Sequence, residues 1–247
     1  MNKLVVVTGA SRGLGLAIVK QLLKHTVIKY DVLAISRSKS DELLQLEEEY
    51  STSDKRLHIL NADLLKLNNI QALCTKMVKD YGRPYALINN AALGFDGVLA
   101  TMHNSQIDEL LSVNVQAPIL LSKYLLRPML LNRKGRIINI SSIIAKTGFN
   151  GLSVYAASKA ALEGFSFSLA REVGKAGVTV NCVAPGYMQT DMTQSLQGEK
   201  LESVKRRSPL GRLATPDDAA SAVLYLLSEE ANAITGTVIT VDAGSTA

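Results

Sequence analysis

The feature that most constrains the fold of this chain is a rhythm. Seven short, apolar, β-branched runs recur along it: "KLVVVT" at 3–8, "YDVLAIS" at 30–36, "RLHILNA" at 56–62, "YALINN" at 85–90, "RIINIS" at 136–141, "VTVNCVA" at 178–184 and "GTVITVD" at 236–242. Runs this short and this continuously hydrophobic suit strands covered on both faces. Stretches long enough for crossover helices lie between them, such as "LGLAIVKQLLKH", "SDELLQLEEEY" and "IQALCTKMVKDYG". Strand, helix and strand repeated in this way predict an α/β fold: a doubly wound, seven-stranded parallel sheet with right-handed crossovers and helices on both faces. No linker or compositional break divides the 247 residues, and 47% of them are hydrophobic, so residues 1–247 read as a single domain with a large core.

One segment breaks the rhythm. Residues 186–215 are polar and charged and are not followed at once by a strand. A stretch of this length in a compact domain is often a lid, and it is expected to cover the substrate.

Composition narrows the function. The net charge of +5 is mildly basic, no block of five Lys/Arg occurs, Trp is absent and aromatics make up only 5%, so a nucleic-acid surface is not expected. Cys74 and Cys182 form no CxxC pair, and His25, His58 and His103 are far apart, so no metal site is expected. Both thiols read as small buried hydrophobes of a reducing compartment. No apolar run has signal-peptide or transmembrane character, and the expected location is the cytoplasm.

Chemistry enters at the first turn. "VVVTGASRGLGLAIV" sets Gly9, Gly13 and Gly15 between a strand and a helix. Glycine lets backbone approach a ligand, and a helix N-terminus offers free N–H groups and positive potential to a pyrophosphate. The spacing is GxxxGxG, and tight helix–strand packing alone could also call for it. Gly9, Ser11, Arg12, Gly13, Leu14 and Gly15 are the expected dinucleotide loop. Enzymes preferring the unphosphorylated dinucleotide usually end their second strand with an acid on the ribose diol. Here Ser36 stands at that point and Arg37 follows. Arg12 and Arg37 could clamp a 2′-phosphate, which predicts NADPH as cofactor; ordinary solvated arginines are the alternative.

"TGASRGLG", "NADL", "NNAA", "SVNV", "INISS", "YAASK" and "NCVAPGYMQTDM" occur in order. Together they resemble the short-chain dehydrogenase/reductase family over essentially the whole chain, and among its members the chain is most similar to reductases of 3-oxoacyl groups on acyl-carrier protein. It departs from the usual pattern in Ala92, in the long "HTVIKYDV" turn and in "VDAG" for "VDGG". The resemblance implies a Rossmann-type fold and a role for each matching residue. Asp63 and Leu64 would hold the adenine. Asn89, Asn90 and Ala91 would line the cofactor and brace the central strand. Pro185, Gly186, Met188 and Thr190 would hold the nicotinamide carboxamide, and Asn114 would keep a water in a kinked helix. Ser142, Tyr155 and Lys159 would be the catalytic three.

Those side chains make chemical sense together. Tyr155 and Lys159 are four apart, so they share a helix face. A free phenol titrates near ~10 and carries a proton to give at neutral pH. The neighbouring ammonium is expected to lower the phenol toward working pH, and Ser142 to hydrogen-bond the substrate oxygen. Lys159 can also hold the nicotinamide ribose. An isolated Tyr–Lys pair would more often be a surface hydroxyl and a solvated amine; Asn114 could be a surface residue; Asp63 or the Thr190–Asp191 pair could be helix caps.

An acidic acyl-carrier protein would need a basic rim. Arg133, Lys134, Arg136, Arg171, Lys175, Lys205, Arg206, Arg207 and Arg212 are the candidates, with dispersed solubility charges as the alternative. The helical stretches near 105–131 and 153–175, the latter rich in small residues, are expected to assemble a homotetramer or a dimer. Other substrates remain open, namely a small ketone, sugar or steroid, as does a non-catalytic NADP(H)-sensing protein.

Overall fold

The computed structural model describes residues 2–50, 56–188, 202 and 205–247. Each apolar run forms a strand: β1 (Lys3–Thr8), β2 (Tyr30–Ser36), β3 (Leu57–Asn61), β4 (Ala86–Asn89), β5 (Gly135–Ile140), β6 (Val178–Pro185) and β7 (Val238–Val241). They make one seven-stranded sheet of order β3-β2-β1-β4-β5-β6-β7, parallel throughout.

The helices are α1 (Gly13–Lys24), α2 (Asp41–Glu49), α3 (Ile70–Tyr81), α4 (Asn104–Leu111), α5 (Ala117–Asn132), α6 (Ile144–Thr147), α7 (Ser153–Val173) and α8 (Pro216–Leu227). Local chemistry sets several ends. Ser40 Oγ accepts from Leu43 N at 3.2 Å to start α2. Thr215 and Asp218 exchange side-chain and backbone bonds ahead of α8, whose Pro216 gives up no needed donor. α5 stops where Arg133 turns left-handed, at φ 49°.

Successive strand residues face opposite layers, and β1 displays this directly. Val5 and Val7 join Leu16, Ile18, Leu22, Val223 and Leu226 on one side; Leu4 and Val6 join Ile70, Met77, Leu121, Leu125 and Val173 on the other. α1 and α8 therefore cover one face, and α3, α5 and α7 the other.

Strand order reverses between β1 and β4. The chain runs outward from β1 to β3 and then returns to the far side of β1, so a crevice opens at the C-terminal ends of β1 and β4. The glycine loop leaves β1 there, and Asn90 and Ala91 leave β4 there. Between α4 and α5, residues Ser112–Gln116 form a π-helical turn, which is the kink expected around Asn114.

Candidate active site

The floor of the crevice is the glycine loop. Gly9 has φ +65°, and a Cβ there would lie 2.8 Å from Ala91 Cα. Gly15 has no room either: its Cβ would meet Gly9 O at 2.1 Å. Asn90 staples this packing, since its Nδ2 donates to Thr8 O (2.9 Å) and Gly9 O (3.2 Å). Thr8 Oγ1 accepts from the backbone N–H groups of Asn90 (2.9 Å) and Ala91 (3.0 Å). Thr8 is a supporting residue the sequence did not single out; its only signal was a hydroxyl at the end of an apolar strand.

The first turn of α1 carries no side-chain cap and no acid, and Arg12 precedes it in extended backbone. Backbone donors at an uncapped helix start, reached over glycines, fit a dinucleotide pyrophosphate. Ser11 O accepts from Ser40 Oγ at 2.6 Å, which ties this loop to the start of α2, just past the end of β2. There Ser36 is buried with its Oγ on Ser38 O (2.8 Å), while Arg37, like Arg12, is exposed. Leu14 and Leu64 turn their side chains into the core. Asp63 caps no helix; its Oδ1 accepts from Leu65 N at 3.1 Å in a local turn beside β3.

Asn89 does not line the crevice as expected. It is buried on the α5 side of the sheet, where Nδ2 donates to Asn139 Oδ1 (2.8 Å) and Ser122 Oγ (3.3 Å). Strand alternation accounts for this: Asn89 points into the helical layer, and Asn90, past the strand end, turns toward the loop.

Ser142 follows β5, and its Oγ accepts from Ile144 N at 3.3 Å. Tyr155 and Lys159 rise from the first two turns of α7. Lys159 is 2% exposed, and its Nζ donates to Ile140 O at 2.8 Å and lies 5.5 Å from the Tyr155 ring centre. The structure thus gathers all three at the same edge of the sheet as the glycine loop. The expected tuning is not what it shows. Burial pushes the Tyr155 phenol up to about 12 and pulls the Lys159 ammonium down to about 8. The ammonium is engaged by a carbonyl, and desolvation dominates both groups.

Beneath them lies a support that the sequence did not reveal. Ser141 Oγ donates to the buried Glu163 Oε1 at 2.9 Å and lies 3.3 Å from Lys159 O, pinning the lysine's turn of α7 to β5. The signal was a lone acid in an otherwise small, apolar helix face. Asn114 is fully buried. Its amide clamps the chain leaving β4, with Leu93 N donating to Oδ1 (2.7 Å) and Nδ2 donating to Leu93 O (2.9 Å) and Ser158 Oγ (3.2 Å).

The opposite wall is the exit of β6. Ile143 N donates to Pro185 O at 3.1 Å, which draws the Ser142 turn against Pro185. Gly186 N donates to Val241 O (2.9 Å), and a Cβ on it would strike Asp242 Cβ at 2.6 Å, so glycine is needed there for packing. Met188 bridges to Ala214. Thr190, Asp191 and much of the expected lid at 186–215 lie outside the described residues. The rim is apolar: Val98, Leu99, Phe149 and Leu210 are exposed, and Phe149 packs edge-on against Tyr187 with ring centres 5.9 Å apart.

The expected basic rim is corrected in part. Arg136 is 2% exposed and bonds to Gly135 O, Ser228 O and Asn232 Oδ1. Lys134 pairs with Glu229 at 2.7 Å. Arg133, Lys134, Arg136, Arg171 and Lys175 all lie near the starts of β5 and β6, the far end of the sheet from Tyr155. Sequence proximity to a strand does not say which end of it a charge occupies. Lys205, Arg206, Arg207 and Arg212 precede α8 on the site's side; Lys205 pairs with Glu202 (2.8 Å) and Arg212 with Asp218 (2.5 Å).

Known proteins agree with this architecture. A family model described as Enoyl-(Acyl carrier protein) reductase matches residues 9–246. The 3-oxoacyl-[acyl-carrier-protein] reductase FabG of Vibrio cholerae serotype O1 is 37% identical over 243 residues, covering 98% of this chain and 97% of the relative. Among solved structures, a chain described as an NAD(P)-dependent gluconate 5-dehydrogenase from Beutenbergia cavernae, with NADP at low occupancy, superposes with TM-score 0.89 at 31% identity, covering 98% of this chain and 96% of that one. A 4-hydroxyisoleucine dehydrogenase complexed with NADH gives 0.90 at 27% identity, with 99% of both chains covered. With the uncapped glycine loop, the crevice at the strand reversal and the gathered Ser142, Tyr155 and Lys159, these likenesses lead to one conclusion: the chain belongs to the short-chain dehydrogenase/reductase family of nicotinamide-dependent oxidoreductases.

Proposed function

We propose that the chain reduces a 3-oxoacyl thioester, carried on acyl-carrier protein, to the 3-hydroxyacyl form with NADPH as reductant, a step of fatty acid synthesis. The observation that carries this reading is the pairing of a protonated Tyr155 and Ser142 with an apolar rim of Val98, Leu99, Phe149 and Leu210. Such a rim favours an acyl chain over a sugar. The likeness to the Vibrio cholerae reductase supports the same substrate.

A reduced nicotinamide bound in the crevice would supply hydride to the carbonyl carbon. Ser142 donates a hydrogen bond to the carbonyl oxygen, where negative charge grows. Tyr155, held as a phenol by burial, gives its proton to that oxygen. The Lys159 ammonium, fixed on Ile140 O, contributes positive charge near the phenol and would offer its remaining donors to ribose hydroxyls. Backbone N–H groups at the start of α1 would hold the pyrophosphate, with Asn90 and Thr8 keeping the loop in place. Arg12 and Arg37 would take the 2′-phosphate, and the absence of an acid at Ser36 removes the usual ribose-diol acceptor. NADPH should bind more tightly than NADH; equal or tighter NADH binding would refute this preference.

Self-association through α5 and α7 is part of the proposal. Ala157, Ala160, Ala161 and Gly164 leave one side of α7 exposed and smooth. A two-fold axis across that side would run α7 antiparallel to its copy, bringing the second chain's Arg171 end toward the first chain's Tyr155 end. In such an assembly an acidic carrier docked on Arg133 and Lys175 of one chain would face the Tyr155 end of the other.

A second reading, oxidation of a small hydroxy acid or polyol, is favoured by the likeness to the two dehydrogenase structures named above. The loss of 340 nm absorbance with NADPH separates the two. Turnover of a 3-oxoacyl thioester at least about tenfold above simple ketones and sugar acids is expected; a preference for the small ketones would overturn the proposal.

A further inference from the structure

We propose that Tyr187 is a specificity-determining residue, whose hydroxyl donates a hydrogen bond to a second carbonyl oxygen of the substrate, two carbons from the one reduced. The proposal rests on the reductase reading above and sharpens it, because a 3-oxoacyl thioester carries an acceptor at that distance and a simple ketone does not.

Among the described residues, four buried side-chain atoms have no hydrogen-bond partner: Asn89 Oδ1, Arg136 Nε, Ser228 Oγ and Tyr187 OH. The first is inside the α5 layer, and the next two are at the far end of the sheet. Tyr187 alone stands beyond the strands at the C-terminal edge, two residues past β6. Buried hydroxyls are almost always satisfied, and one left unsatisfied beside a reacting group calls for an external partner.

The surroundings hold that hydroxyl at the mouth of the site. Ile143 N on Pro185 O joins the Ser142 turn to the residue from which the Tyr187 segment departs, and Gly186 N on Val241 O fixes its direction. Phe149 packs edge-on against the Tyr187 ring and limits its swing. Gly97 N donates to Gly151 O at 3.0 Å, closing the loops after β4 and before α7 over the same opening. Asp96 and Arg207 flank the phenol with opposite charges, yet neither accepts from it or donates to it. The ring thus packs on Phe149 of the apolar rim, two residues past the Pro185 carbonyl that holds the Ser142 turn. A thioester carbonyl would occupy this place if the ketone faced Ser142 and Tyr155 while the acyl tail or carrier arm ran outward.

The test is Tyr187→Phe, which removes one unpartnered oxygen and leaves the ring packed on Phe149, so the fold is retained. NADPH consumption is measured for the wild type and the variant with a 3-oxoacyl thioester of a short thiol and with a simple ketone of matched length. The expected result is a fall of roughly ten- to a hundredfold in the ratio of kcat/KM for thioester over ketone. A ratio within about twofold of the wild type would overturn the proposal. If the ketone turns over too slowly to read, inhibition constants replace it. A 3-hydroxyacyl thioester is compared with the thioether lacking the C1 oxygen; the same loss of selectivity is expected, and an unchanged ratio is again fatal. A wild type that reduces ketones but no 3-oxoacyl thioester would instead overturn the substrate reading, and the two failures are therefore distinct.

Discussion

Asn114 and Leu93 grip each other twice: Leu93 N donates to Asn114 Oδ1 at 2.7 Å, and Asn114 Nδ2 donates to Leu93 O at 2.9 Å. The π-helical turn at Ser112–Gln116 presents Asn114 to the chain leaving β4, and the clamp sets the course of that chain beside the crevice. Asn114→Ala would leave both Leu93 groups without these partners. A loss of about 1–3 kcal/mol in denaturant unfolding is expected, together with a fall in kcat. Asn114→Asp should keep one bond of the pair and lose less. Equal stability of the alanine variant and the wild type would mean that the clamp carries no weight.

Ala243 explains one departure of the sequence from its family. It stands in "VDAG" at φ 57°, the left-handed region that favours glycine. Asp242 holds the turn, accepting from Gly244 N and Thr246 N at 2.9 Å each. Ala243→Gly should relieve a steric cost of about 1–2 kcal/mol while adding about 0.5–1 kcal/mol of unfolded-state entropy, for a net gain of several tenths. Thermal unfolding reads this directly; a lower Tm would show that the turn is not strained.

Lys159 sets activity against stability. Its ammonium is held down at about 8 by burial, against an ordinary 10.5. Between those values the folded chain binds fewer protons than the unfolded chain, so stability rises as pH climbs through that window, and below about 8 the full cost of the buried charge is present. Lys159→Met should abolish turnover yet raise stability at pH 7 by on the order of 1 kcal/mol, an advantage that shrinks toward pH 10. A methionine variant less stable than the wild type at neutral pH would contradict the desolvation account.

The strands were legible because parallel strands covered on both faces write themselves as apolar runs, and six of the seven lie within a residue of the expected ends. β7 is shorter, starting at Val238 where Gly236 and Thr237 still belong to the approach. The glycine loop and the group Ser142, Tyr155 and Lys159 were legible because their spacing is tied to strand ends and helix turns. What escaped was set by the third dimension. Asn89 and Asn90 are adjacent in sequence but face opposite layers. Arg136 looked like a surface charge until β5 carried it inside. The Tyr155–Lys159 pair suggested charge tuning, whereas Ile140 O takes the ammonium and burial governs both groups. Glu163 and Ser141 meet only because α7 packs on the end of β5.

The most direct measurement compares wild type and Tyr155→Phe with NADPH and a 3-oxoacyl thioester, reading kcat by absorbance and the NADPH Kd by fluorescence. The phenylalanine keeps the ring and loses only the proton donor. A drop of about a hundredfold or more in kcat, with Kd changed less than about threefold, is predicted; kcat within about tenfold of the wild type would contradict the assignment of Tyr155 as the acid.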